Sequence, residues 1–183
     1  MTHKPKLIIL LGTNGTGKTT LLEEFIKNES KKTLVIAPDD RDWQYVPLIQ
    51  NFQNSSLIYK GVRRHIWEEP TDLETITNRF QDGLLVCDDC RSYFSSGHLD
   101  KTLHRLLIRR RQMQIDILVA AHGFSEVPPK FYTFATDIIL FKTNDNVASR
   151  KNVIKDYAKM LRAQQEVNMY AEQNPYHKKL IKL

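Results

Sequence analysis

Residues 6–20 read Lys6-Leu7-Ile8-Ile9-Leu10-Leu11-Gly12-Thr13-Asn14-Gly15-Thr16-Gly17-Lys18-Thr19-Thr20. An apolar run that stops at a glycine predicts a strand buried on both faces. Gly12 to Thr19 fits G-x-x-x-x-G-K-[ST] without a mismatch. From Lys18 to Asn28, Leu21, Leu22 and Phe25 fall at helical spacing, so the loop is bracketed by a strand and a helix. Gly15 and Gly17 let the main chain curl until its N–H groups point at phosphate oxygens. The positive end of the following helix adds to that attraction. Lys18 supplies a point charge to the β- and γ-phosphates, and Thr19 supplies a hydroxyl ligand for Mg²⁺. The binding set is therefore Gly12, Thr13, Asn14, Gly15, Thr16, Gly17, Lys18, Thr19 and Thr20. The pattern identifies nucleotide binding but not the reaction.

Outward from the loop, strands alternate with helices. Thr33 to Ala37 reads as a second strand, and Ser56 to Lys60 as a further one within an irregular insert, 38–70. Thr71 to Phe80 is helical in spacing, with Thr71 and Glu74 placed for a capping box. Gly83 to Asp88, Ile115 to Ala121 and Thr136 to Lys142 read as buried strands. Leu99 to Gln112 reads as a helix with Leu99, Leu103, Leu106 and Leu107 inward, and Pro128-Pro129 starts a turn or short helix. Ser149 to Tyr170 is an amphipathic helix, followed by a polar, mobile tail from Asn174 to Lys179. This alternation predicts an α/β fold of three layers, a mostly parallel central sheet and a C-terminal helix. A core over 1–148 and a helix with a basic tail over 149–183 make up the chain.

The composition agrees with that picture. The chain has 183 residues, of which 41% are hydrophobic and 26% charged, enough for one well-filled core. The longest apolar run, Leu7 to Leu11, is too short to cross a bilayer. The opening residues do not resemble a secretory leader, and two cysteines are too few for a disulfide scaffold. A reducing, cytoplasmic setting is the expectation. The net charge of +6 lies mostly in the second half of the chain. Residues 91–113 hold six Lys/Arg against one acid, and 142–183 hold nine against four. Such a surplus suits nucleic-acid phosphates, and it equally suits a solvated helix face.

Further chemistry sits at the ends of predicted strands. Asp88 closes an apolar strand, where a carboxylate beside the loop holds Mg²⁺ through water. Asp89, one residue later, is placed to activate water; two solvated acids in a turn are the plain alternative. Cys87 and Cys90 form C-x-x-C without a second ligand pair, so Cys87 reads as a buried strand residue and Cys90 as incidental. Arg109-Arg110-Arg111 closes a helix, one turn after Arg105. Cations there suit the helix dipole, or one of them meets the γ-phosphate of a neighbouring subunit. His122 ends the strand from Ile115 and is either a γ-phosphate sensor or a loop histidine.

This order of features resembles the FtsK/HerA superfamily of DNA-pumping ATPases, whose members are P-loop NTPases. Within it, the chain looks most like viral genome-packaging ATPases and the Zot-like assembly ATPases of filamentous phages. The similarity covers roughly residues 6–142. Arg111, in Arg110-Arg111-Gln112-Met113-Gln114-Ile115-Asp116-Ile117, falls where the family arginine sits, and Val127 to Phe141 runs as the family's segment does. Two positions depart from the pattern: Asp89 stands for the usual Glu, and His122 for the usual Gln. The resemblance implies ATP hydrolysis with Mg²⁺, and catalytic roles for Lys18, Asp89, His122 and a neighbour's Arg111. It further implies a homo-oligomeric ring, a hexamer, acting on double-stranded DNA. Virion or capsid proteins are implied partners, in the host cytoplasm or on the virion. No membrane insertion is expected, unlike many Zot-like proteins.

Two other readings fit the same residues. A nucleoside or nucleotide kinase would use Arg109 to Arg111 as a phosphate cover and Asp39-Asp40-Arg41 for its acceptor, although the arginines run straight into a strand. A nucleotide-gated switch with little turnover would fit the shorter Asp89. Within the insert, Arg63-Arg64-His65 with Trp67 mixes cations and an aromatic, as single-strand binders do, or packs against the core edge.

Overall fold

Leu7–Leu11 forms β1, buried at all five positions, and the rest of the chain is arranged around it. The computed structural model describes residues 4–29, 31–94 and 100–183. In chain order, the further elements are α1 (Lys18–Lys27), β2 (Lys32–Ala37), β3 (Val62–Ile66), α2 (Thr71–Arg79), β4 (Gly83–Cys87) and α3 (Asp100–Arg109). They continue with β5 (Ile115–Ala121), α4 (Pro129–Phe134), β6 (Asp137–Phe141), α5 (Tyr157–Tyr170) and β7 (Lys178–Lys182). The strands make one sheet in the order β3-β2-β4-β5-β1-β6-β7. Neighbours run parallel except β6 and β7, which are antiparallel.

Successive strand side chains point to opposite faces, and the two faces bury separate cores. Leu7, Ile9 and Leu11 pack with Leu73 and Ile76 of α2, Leu103, Leu106 and Leu107 of α3, Phe131 of α4, and Met160 and Val167 of α5. Ile8 and Leu10 face the other way, against Leu22 of α1 and against Trp43 and Val46 of the insert. The result is the expected three-layer α/β sandwich.

Several elements differ from expectation. Ser56 to Lys60 forms no strand: Leu57 and Gly61 both adopt positive φ, 54° and 74°, and the pairing strand is β3. Its Val-Arg-Arg-His-Ile sequence lacks an apolar pattern because it is an edge strand, half-buried along most of its length. Arg64 donates to the carbonyls of Asp40, Asp42 and Val46 and so folds the insert onto the sheet. His65 is buried against Phe52, ring centroids 3.5 Å apart, with Nε2 2.9 Å from Asp72 Oδ2. Trp67 packs on Tyr93. These residues therefore serve the core edge.

The Thr71/Glu74 capping box does not form. Pro70, already helical in φ and ψ, is the N-cap of α2, and the Asp72 carboxylate accepts from the N–H groups of Glu68 and Glu69 instead. The helix expected over Leu99 to Gln112 ends at Arg109, and Leu99 lies outside the described residues. The helix expected from Ser149 begins at Tyr157, behind Asp156, whose side chain accepts from Lys159 N at 3.0 Å. The residues expected as a mobile tail instead lead into β7, where Ile181 is buried and the lysines guard an exposed sheet edge.

Candidate functional site

Ligands of parallel α/β sheets collect at the carboxyl ends of the strands, and here that edge carries the loop. Gly15 and Gly17 adopt φ of 76° and 93°, a region that strains residues bearing a side chain. Gly17 is also the N-cap of α1. It offers no side-chain cap, and no acid stands in the helix's first turn, so the positive helix end is left for an anion. Lys18 is only 8% exposed. Its Nζ donates to Gly12 O at 2.5 Å and Thr13 O at 3.0 Å. Burial lowers its pKa, while Asp88, Asp89 and Glu126 act to keep it charged. Thr16 and Thr13 hold the loop's shape, the first by donating to Thr13 O at 2.8 Å and the second to Lys142 O at 3.2 Å.

Because β5 lies between β1 and β4, the ends of three strands meet beside the loop. They enclose a cavity of about 340 Å³ lined by Asn14, Gly15, Gly17, Lys18, Thr19, Thr20, Asp88, Asp89, Ala121, His122 and Tyr176. Lys18, Thr19, Asp88, Asp89 and His122 are thus brought together, with the Gly12 and Thr13 carbonyls beside Lys18 Nζ. Asp89 takes a left-handed φ of 49°, and its Oδ1 is 3.9 Å from His122 Nε2, too long for a hydrogen bond. Thr19 and Asp88 offer hard oxygen donors within one cavity. That fits Mg²⁺, which keeps several waters and takes few protein ligands beside phosphates. Cys87 and Cys90 are buried free thiols whose pKa values burial pushes up, so they are inert. Among the described residues, no group of three or more His, Cys, Asp or Glu is set for a metal.

Three residues at the site escaped the sequence reading. Trp43, from the insert, is 6% exposed and donates through Nε1 to Asp88 Oδ2 at 3.0 Å. Burial raises the Asp88 pKa, the Trp43 bond opposes that rise, and Asp42 adds to it. Glu126 accepts from His122 N at 2.9 Å and pairs with Arg91 at 3.1 Å, tying the end of β5 to the turn after β4. Thr143 donates to His122 O at 3.1 Å and is itself clasped by Asn168 of α5. Apart from the local His122–Glu126 bond, these contacts cross long stretches of sequence, where no local pattern records them.

Replacing Trp43 by Phe removes the indole N–H and leaves the Asp89 backbone N–H to steady the buried carboxylate. A carboxylate must be ionised to hold a cation, so a reaction that depends on Mg²⁺ at Asp88 would slow as pH drops through the Asp88 pKa. The acidic limb of kcat/KM for such a reaction should move to higher pH in the variant. The Mg²⁺ concentration for half-maximal activity should rise with it.

Arg111 is not part of this cavity. It precedes β5, at the opposite edge of the sheet, and the seven residues of that strand place it about 20 Å away. Its neighbours have internal work. Arg110, 1% exposed, donates to Pro5 O and Phe134 O, and Arg109 reaches Thr77 O and Met113 Sδ. Arg111 is exposed, and its guanidinium makes no hydrogen bond among the described residues.

No protein-family model matches the chain, and no curated protein matches it in sequence. Solved structures do. The genome packaging NTPase B204 from Sulfolobus turreted icosahedral virus 2, in complex with AMP, aligns over 99% of this chain and 94% of its own at 14% identity and a TM-score of 0.74. The chain has the P-loop NTPase fold. The B204 DNA-packaging ATPase from Sulfolobus turreted icosahedral virus shares that fold over 98% of both chains, at 15% identity and a TM-score of 0.70. ATPases 2 and 3 of Thermomonospora curvata EccC match at 11% identity, a TM-score of 0.51, and 80% of this chain against 31% of that one. At such identities the likeness is one of P-loop NTPase fold.

Proposed function

We propose that the chain is an ATP-hydrolysing, DNA-translocating motor, a viral genome-packaging ATPase that works as a homo-oligomeric ring. The observation that carries the reading is the cavity in which Lys18, Thr19, Asp88, Asp89 and His122 converge beside the anion-binding end of α1. The near full-length likeness to packaging ATPases, one crystallised with AMPPCP, supports it. In this reading the loop amides hold the triphosphate, and Lys18 turns from the Gly12 and Thr13 carbonyls to the β- and γ-phosphate oxygens. Thr19 and Asp88 hold Mg²⁺, which neutralises charge that builds on the phosphates. Asp89 orients the attacking water and takes its proton, and His122 stands beside the same water and the γ-phosphate. Arg111, remote from its own cavity, serves the neighbour's. The exposed Lys101, Arg105, Lys151, Lys155 and Arg162 are candidates to grip DNA phosphates.

The kinase reading has less behind it. Arg109 and Arg110 are engaged within the fold, and Asp39 pairs with Arg41 at 2.9 Å rather than standing open to an acceptor. Measuring ATP turnover with and without double-stranded DNA tests the motor. We expect DNA to stimulate turnover, with a stimulation that fades steeply as salt rises. A rate indifferent to DNA at modest salt, or transfer of phosphate to a nucleoside monophosphate, would overturn it.

A further inference from the structure

Tyr176 belongs to the stretch that the sequence marks as a tail, yet it is built into a turn. Its N–H donates to Asn174 Oδ1 at 3.0 Å, and His177 N donates to Asn174 O at 2.9 Å. The Asn174 backbone N–H donates to Tyr170 O at 3.0 Å, and the His177 and Tyr170 rings meet at a tilt with centroids 5.0 Å apart. Lys178 then enters β7 opposite Phe141. The turn thus holds the Tyr176 ring against the phosphate loop: a Cβ built on Gly17 would stand 3.3 Å from Tyr176 Cδ1. Despite that placement the residue is 61% exposed, so much of its aromatic surface is open.

A second cavity, of about 360 Å³, adjoins the first. The two share Gly17, Thr20 and Tyr176, whereas Asp88, Asp89 and His122 line only the first. If the γ end of a nucleotide lies by the acids, its sugar and base must leave the loop on the other side, over Thr20. The second cavity opens there, with Glu24 and Lys178 in its wall as an acceptor and a donor for a base edge or a ribose hydroxyl.

We propose that this second cavity is the nucleoside pocket, and that the Tyr176 ring is the platform on which a purine base stacks. The proposal rests on the nucleotide-binding reading of the loop and adds the part of the ligand that the loop does not recognise. Aromatic rings take any base by its π face, and purines, with the larger face, take best. Because the turn is ordered by its own hydrogen bonds, the ring needs no rearrangement to serve.

Calorimetric binding of a non-hydrolysable ATP analogue and of inorganic tripolyphosphate, each with Mg²⁺, tests this on the full chain. The wild type should bind the analogue at least about tenfold more tightly than tripolyphosphate. Tyr176→Ala should erase most of that advantage while leaving tripolyphosphate affinity unchanged, and Tyr176→Phe should keep it. The proposal falls if Tyr176→Ala retains the advantage, or if it weakens both ligands alike, since the ring would then shape the loop rather than hold a base. It falls together with the nucleotide reading if the wild type binds neither ligand, or if Lys18→Ala binds both as well as the wild type.

Discussion

Lys18→Ala should abolish ATP turnover while leaving the fold intact. The ammonium is buried and bonded only to two loop carbonyls among the described residues, so the ligand-free chain keeps it at the cost of desolvating a charge. Removing it takes little from stability, because the desolvation cost of the buried ammonium is removed with it. The bound state loses much more. The cation that screens the β- and γ-phosphates is gone, and loss of one preorganised electrostatic contact costs about 10²- to 10³-fold in rate. Melting curves separate the two effects. The variant should melt close to the wild type without ligand, and the rise in melting temperature that a nucleotide gives the wild type should disappear. The pH profile of the wild type adds a check. Burial lowers the Lys18 pKa, and the cation is lost as pH rises through it. The alkaline limb of kcat/KM, which reports the free enzyme, should therefore begin below the range of an ordinary lysine.

The elements that the sequence makes legible are those whose physics is local. Leu7 to Gly12 reads as a doubly buried strand because every position is apolar, and the loop reads because its glycines and lysine are consecutive. The strands ending in Asp88 and His122 follow by the same token. Elements whose residues serve distant partners stay hidden. Val62 to Ile66 shows no strand pattern, since an edge position lets arginines lie along the sheet with their heads on the insert's carbonyls. Lys178 to Lys182 looks like a tail because one buried residue, Ile181, anchors it to β6. The same logic divides the site. Lys18, Thr19, Asp88, Asp89 and His122 could be named from strand ends, whereas Trp43 reaches Asp88 across 45 residues and Glu126 joins two turns that only the sheet order brings together.

That sheet order also links the site's acids to His122. With β5 between the loop strand and the acid strand, His122 emerges between Lys18 on one side and Asp89 on the other. The Glu126 carboxylate, shared between His122 N and Arg91, couples any shift at the end of β5 to the turn that presents Asp89. Thr143 and Asn168 carry the same strand end to α5. A shift at the end of β5 thus has a contiguous hydrogen-bonded route to α5.

Arg111→Ala should be at least as damaging as the loop mutation, and only within an assembly. The residue stands at the amino end of β5, about 20 Å from its own cavity, beyond the reach of any side chain. A role in hydrolysis therefore requires a neighbouring subunit's site. An arginine supplied in trans is worth about 10³- to 10⁵-fold in kcat, so the variant should bind nucleotide normally yet turn over at that fraction of the wild-type rate. Being exposed, Arg111 contributes little packing, and the melting temperature should stay put. Mixing decides between trans action and indirect damage. Rings assembled from Arg111→Ala and Lys18→Ala subunits contain interfaces where an intact loop faces an intact arginine, so the mixture should recover activity that neither variant has alone. A mixture as inactive as its parts would mean that Arg111 does not complete a neighbour's site, and the ring reading of this surface would have to be given up.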